Sequence, residues 1–222
     1  MRFLALFLLA GCFAAEAAPE PRRPKRPKVD ACHAALDEMQ VRYRVANPHA
    51  GIERPVEILG PLGGVTYRAW VKGKPLVLDC SLAQALAQAG PFFTAQGLVE
   101  GTYSGAYVRR NIRGTAKPSS HGFGLALDVH RWRTESGIWL SVDPQFEIGL
   151  GDEVDCIGLP TTEEARVLRT VWCQLERSGL FRFVLGPDED ADHRNHFHIE
   201  ALPWAERDLA ARPGESPDRS GR

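Results

Sequence analysis

The sequence predicts an α+β domain in which an antiparallel sheet is flanked by helices. Three observations predict it. Leu125, Leu127 and Val129 alternate with Ala126 and Asp128, as in a strand with one buried face. Phe197 and Ile199 alternate in the same way with His196, His198 and Glu200. Capping signals at Asp30, Ser81 and Thr161-Thr162-Glu163-Glu164 open three helical stretches.

At 222 residues with 44% hydrophobic content, the chain can bury a proper core, as one domain over 30–208 once both ends are set aside. Its 27 basic and 28 acidic residues produce no strong overall field, which argues against a nucleic-acid partner. A monomer is expected.

Residues 1–18 carry one positive charge and then a short apolar run, the pattern of an export signal. A spanning helix would need about 20 apolar residues. Leu9-Ala10-Gly11-Cys12 resembles the bacterial lipobox, in which the signal is cut before the cysteine and the Cys12 thiol is lipidated. Ala15-Glu16-Ala17 offers the rival cleavage site of an ordinary signal. The expected location is the bacterial periplasm or cell envelope, with the membrane reached only through an N-terminal lipid. The linker 19–29 is rich in proline and cation, so it should extend at about 3.1 Å per residue. The polar tail 209–222 is expected to be disordered.

Within the domain, Asp30 caps a helix to about Met39, and Val41, Tyr43 and Val45 alternate as a strand. Strands follow at 55–59 and 65–71, separated by the turn signals Gly60-Pro61 and Gly63-Gly64. Ser81 caps an alanine- and leucine-rich helix ending near Gly90, with a second helical piece over 91–98. Trp70, Phe92 and Phe93 are assigned to the core. Val99 to Ile112 is strand-like and delivers Arg109, Arg110 and Arg113 ahead of His121. Val129–Trp132 and Gly137–Leu140 form a hairpin, in which His130 shares a strand face with Asp128. The capping box at Thr161 starts a helix to Arg177 that Gly179 stops, and Phe181–Leu185 is a strand. The acidic loop Gly186–Asn195 leads into the last strand.

Apart from Cys12, the chain holds Cys32, Cys80, Cys156 and Cys173, an even number in a chain with an export signal. Three pairings are open to four cysteines. Cys32 with Cys80 and Cys156 with Cys173 is the favoured set, because each cysteine borders a predicted element. No Cys-x-x-Cys spacing supports a thiolate metal site.

The histidines carry the chemistry. Gly122 and Gly124 permit a turn that folds His121 back beside Asp128. His196 and His198 share one face of their strand, so two strands offer His121, Asp128 and His198 to a common point. Two imidazoles and one carboxylate suit a catalytic Zn²⁺, one per chain, with the fourth position left to water. His196 remains over as a base.

Ser119-Ser120-His121-x-x-Gly124-x-Ala126-x-Asp128 resembles the first zinc motif of the D-Ala-D-Ala carboxypeptidase and murein endopeptidase superfamily, whose sheet and zinc centre are shared with lysostaphin-type peptidases. Within it, Gly101-Thr102-Tyr103-Ser104, Arg110-x-Ile112-x-Gly114, Phe183-Val184-Leu185-Gly186-Pro187 and Asp192-x-x-Asn195-His196-Phe197-His198 are similar to the bacterial extensin-like C-terminal domain family. The likeness covers roughly Cys32 to Ala201. It implies a D-Ala-D-Ala peptidase/Hedgehog-like fold, zinc held by His121, Asp128 and His198, and water assisted by His196. Arg110 would hold a substrate carboxylate or an oxyanion, and Ser119 would orient Asp128 or His121. Carboxypeptidase branches place a glutamate three residues before the last ligand. Here that position is Asn195, which cannot act as a base.

The expected function is therefore a zinc hydrolase of peptidoglycan peptides, of D,D-carboxypeptidase or murein endopeptidase type. The alternative is a zinc-containing module that binds cell wall without turnover.

Overall fold

The computed structural model describes residues 30–151 and 156–206. The segments expected to be an export signal with Cys12, a linker and a tail lie outside the described residues. Elements run in the order α1 (Ala31–Glu38), β1 (Tyr43–Val45), β2 (Pro55–Ile58), β3 (Thr66–Ala69), β4 (Leu76–Asp79), α2 (Cys80–Thr94), β5 (Leu98–Gly105), β6 (Ala126–Thr134), β7 (Trp139–Ser141), α3 (Val142–Gln145), α4 (Glu163–Arg177), β8 (Phe183–Leu185) and β9 (Phe197–Glu200). The α+β class holds, but the strands form two sheets. An antiparallel three-stranded sheet has the order β1-β2-β4, and a six-stranded sheet has the order β3-β5-β6-β9-β8 with β7 beside β6. The larger sheet is mixed, since β3 runs parallel to β5. Strand β4 escaped the sequence reading because Leu76, Val77, Leu78 and Asp79 are all buried and show no alternation.

Several predicted boundaries move, each for a local reason. Helix α2 is capped by Asp79, whose carboxylate accepts from both the backbone N–H and the hydroxyl of Ser81. It continues as one helix to Thr94, through Pro91. Gly90 serves a close approach and not a stop: a Cβ there would fall 2.1 Å from the Gly63 carbonyl oxygen. At α4 the cap is Thr162, which accepts from the Ala165 N–H. The carboxylate that completes this cap comes from Glu147, which accepts from the backbone N–H groups of Thr161 and Thr162. Strand β5 ends at Gly105, so Arg109, Arg110 and Arg113 lie on the following loop.

The core is centred on Trp132, fully buried on β6, with the Phe93 ring of α2 stacked 4.5 Å away. Tyr67 and Phe197 flank the same indole. Burying side chains of this size contributes roughly 2 to 3 kcal/mol each before entropy is counted. Trp70 is not part of this core; it is 60% exposed at the end of edge strand β3. Disulfides join Cys32 to Cys80 and Cys156 to Cys173. The first ties α1 to the start of α2 across 48 residues. No helix among the described residues is long and apolar enough to cross a membrane.

Candidate metal centre

The register of β6 and β9 places Asp128 directly opposite His198. Side chains on such a pair share a face at close range, and His198 Nδ1 lies 2.8 Å from Asp128 Oδ1. His121 comes from a single 3₁₀ turn over Ser120–Phe123, which the left-handed Gly124 (φ 64°) closes. Its Nε2 stands 3.1 Å from the Asp128 carboxylate. Ligand atoms of His121, Asp128 and His198 all lie within 4.8 Å of one another. Gly105 roofs the cluster, where a Cβ would fall 2.7 Å from Asp128 Oδ2. Nothing in the sequence motif marks that glycine, because the need for it arises only when β5 pairs with β6.

Both imidazoles are oriented from behind. His121 Nδ1 lies 3.0 Å from the Ala106 carbonyl, which can only accept, so Nδ1 carries a proton and Nε2 is the nitrogen that faces Asp128. His198 Nε2 lies 3.5 Å from the Glu200 carboxylate. Glu200 is therefore near the site, as strand spacing allows, but on the far side of His198 from Asp128. A carbonyl or carboxylate behind a histidine is the arrangement that fixes the tautomer of metal-ligating imidazoles.

Asp128 and His121 are 7% and 1% exposed, so their charges are not shared with water. Burial raises the Asp128 pKa, but hydrogen bonds from His121, His196 and His198 outweigh it and hold the carboxyl far below the usual range. Burial lowers the His198 pKa, and the flanking Asp128 and Glu200 outweigh this and push it up to about 9. Glu200 is lowered: desolvation is overcome by the His198 and Ser120 hydrogen bonds. Ring nitrogens of His121 and His198 thus face one carboxylate, and such contacts are stable only with positive charge between them, from protons or from a metal ion.

His196 stands beside this group. Its Nε2 is 3.5 Å from Asp128 Oδ1, and its Nδ1 is 2.8 Å from the Asn195 side-chain oxygen. With the amide oxygen accepting from Nδ1–H, Nε2 is left with its lone pair toward the cluster. Asn195 cannot take a proton itself, but it sets the tautomer of the residue that can. His130 lies behind His196, with ring centres 5.0 Å apart, and is held between the Asn195 carbonyl and the Ser104 hydroxyl. Burial, and repulsion from a protonated His196, lower the His130 pKa.

The family model for the C-terminus of extensin-like proteins matches residues 30–208. The chain belongs to that family. No curated protein and no solved structure matches it. The extensin-like domain thus begins at the α1 cap and takes in both disulfides and every residue of the histidine cluster.

The extensin-like domain adds a histidine that the sequence reading passed over. His193, on the acidic loop, forms with His196 and His198 a second group whose ligand atoms lie within 4.8 Å of one another. Its Nδ1 is 2.8 Å from Asp190, while burial lowers its pKa overall. The spacing His193-x-x-His196-x-His198 was visible in the sequence, but a loop has no periodicity that would aim His193 inward.

The remaining predicted residues are placed less tightly. Arg110 Nη2 is 3.9 Å from Asp128 Oδ2, with its side chain 56% exposed. It lines a cavity of about 440 Å³ together with Arg109, Gly51 and Phe123. Ser119 is buried, and its backbone N–H donates to the Arg110 carbonyl. No side-chain hydrogen bond joins Ser119 to Asp128 or His121 among the described residues; its neighbour Ser120 reaches Glu200 instead. Arg113 pairs with Asp192 at 2.7 Å, linking the arginine loop to the acidic loop.

Proposed function

We propose that this extensin-like protein is a zinc-dependent hydrolase of peptide bonds in peptidoglycan. The observation that carries the reading is the group His121, Asp128 and His198, with both imidazoles oriented from behind and a third imidazole, His196, aimed at the same carboxylate. Two imidazole nitrogens and a carboxylate fit Zn²⁺, which in catalytic sites keeps three protein ligands and an open position. A bound Zn²⁺ supplies a water of pKa about 7 and polarises a carbonyl oxygen.

The chain's own residues supply the rest. His196 Nε2 accepts a proton from the attacking water and returns it to the leaving amine, its ring held by Asn195. Arg110, half in solvent and above the cavity, holds a substrate carboxylate or the developing oxyanion. The resemblance to D-Ala-D-Ala carboxypeptidases and murein endopeptidases supports a peptide with D-configured residues, and the export signal supports a cell-envelope location. The test is digestion of purified peptidoglycan by the wild type and by His198→Ala, with products weighed by mass spectrometry. The wild type should release peptide fragments that the variant does not. Release by both, or by neither with zinc bound, would sink the hydrolase reading.

A further inference from the structure

We propose that the groove beside Trp70 binds a sugar, taking an N-acetylated pyranose of a glycan strand next to the candidate metal centre. Single exposed aromatics are common on protein surfaces and by themselves mean little. Trp70 differs in how it is held. Its backbone N–H donates to the Tyr103 carbonyl at 2.7 Å, and the Arg131 guanidinium sits 5.3 Å from its ring centre. Arg131 is itself stacked on Trp139 at 4.4 Å and donates through Nε to the Thr102 hydroxyl. The indole is 60% exposed yet braced, so a ligand stacking on it meets an ordered surface.

The groove fits a sugar in size and polarity. It has a volume of about 240 Å³ and runs from Trp70 past His130 and Arg131 to Ser141, Asp143 and Asn195. The apolar C–H face of a pyranose suits an indole, and its vicinal hydroxyls suit planar polar side chains that can take two bonds at once. Arg131 and Asp143 are such groups, and Asn195, whose side-chain oxygen holds His196, adds its amide N–H donors. The Asp143 carboxylate is exposed and has no hydrogen bond or ion pair among the described residues. One cation and one anion leave the groove without net charge, as a neutral sugar requires.

Position connects the groove to the chemistry. The Trp70 ring meets His130 edge-on at 5.7 Å, and His130 lies 5.0 Å from His196. Two aromatic steps thus separate the exposed indole from the residue proposed as base. A ligand made of sugar and peptide would span both. The choice of an N-acetylated sugar rests on the peptidoglycan reading above, while the stacking site does not.

The test is titration of the full chain with tetra-N-acetylchitotetraose, followed by tryptophan fluorescence and by the indole N–H resonances in NMR. Saturable binding is expected, with the Trp70 resonance among those that shift. Trp70→Ala should weaken it at least tenfold, Trp70→Phe should recover part of the loss, and Asp143→Ala should weaken it several-fold. His198→Ala should bind the sugar as the wild type does while failing to cleave peptidoglycan. No saturable binding, binding unchanged in Trp70→Ala, or tighter binding of a tetra-alanine peptide in this groove would overturn the inference. Sugar binding without hydrolysis by the wild type supports the groove and counts only against the hydrolase.

Discussion

Two buried charges, Arg169 and Asp128, sit in the same domain in surroundings of opposite kind. Arg169 is fully buried, and its guanidinium donates to the carbonyls of Glu147, Ile157 and Cys156 and to the Asp188 carboxylate, with the Phe146 ring beneath it. Donors and acceptors match there, and nothing further is required. Asp128 instead faces ring nitrogens of His121, His196 and His198, and the first two rings already hold a proton on their other nitrogen. In neutral His121 and His196 rings, acceptors face an acceptor. The first cluster is closed and holds α4 to its neighbouring loops; the second is complete only with added positive charge. Burial and ion pairing alone therefore do not mark a site; the balance of donors and acceptors does.

Removing the charge from the closed cluster should have the largest effect on stability. Arg169→Leu leaves three carbonyls without their donor and removes one partner of the Asp188 carboxylate, and each acceptor left unsatisfied away from water costs roughly 1 to 3 kcal/mol. Chemical denaturation should show that loss, whereas zinc content per folded molecule should stay at the wild-type value. If the variant also loses zinc, the two clusters are coupled and the contrast drawn above fails.

The open cluster should respond to zinc as the closed one cannot. At a free concentration 100 times Kd, zinc should raise wild-type stability by about 2.7 kcal/mol. The gain should vanish in His121→Ala and persist in Arg169→Leu, measured by thermal unfolding with and without chelator.

What the sequence made legible follows the same division. Asp128 and His198 lie on strands whose alternation sets their direction, and the β6–β9 register brings them together as that alternation implies. The α1 cap at Asp30 and the hairpin β6–β7 rest on equally local rules, whereas the α2 cap passed from Ser81 to Asp79, and Glu147, distant in the chain, completes the α4 cap. Trp70 is expected in the core, but it follows edge strand β3 and stays 60% exposed. Gly105 and the inward aim of His193 depend on contacts between segments, which spacing alone does not encode, whereas Glu200 lies near His198 as the alternation of β9 allows. Arg110, expected at the end of a strand, lies on a loop, 3.9 Å from the Asp128 carboxylate.

A smaller effect isolates orientation from ligation. Glu200→Gln keeps the shape behind His198 but removes the carboxylate, and loss of such an outer partner typically costs about 10- to 100-fold in metal affinity. Competition with a chromophoric chelator measures it. Ser120→Ala, which removes one hydrogen bond to Glu200, should cost less than Glu200→Gln. Equal losses would mean that Glu200 acts on His198 only through its packing.

The mildest perturbation is pH, and it separates protons from zinc as the charge that completes the cluster. In chelator-treated protein, His198 titrates near 9 when folded, against its ordinary 6.5 when unfolded. A raised pKa contributes stability that is fully present below 6.5 and is lost as pH rises toward 9. Asp128 is depressed, so its contribution is present above its ordinary 3.8 and is lost only as pH falls below that. His130 and His193 are also depressed, which costs stability on the acid side of 6.5 and leaves the range above it unaffected. Chelator-treated protein should therefore lose stability between pH 6.5 and 9. Zinc needs His198 neutral and must displace its proton, so the stabilisation by added zinc should grow across the same range. Unfolding curves at fixed free zinc, compared with chelator at each pH, should thus diverge as pH rises. Curves that stay parallel from 6.5 to 9 would mean that no ion competes with the His198 proton, and Asp128 would then be a closed ion pair like that of Arg169.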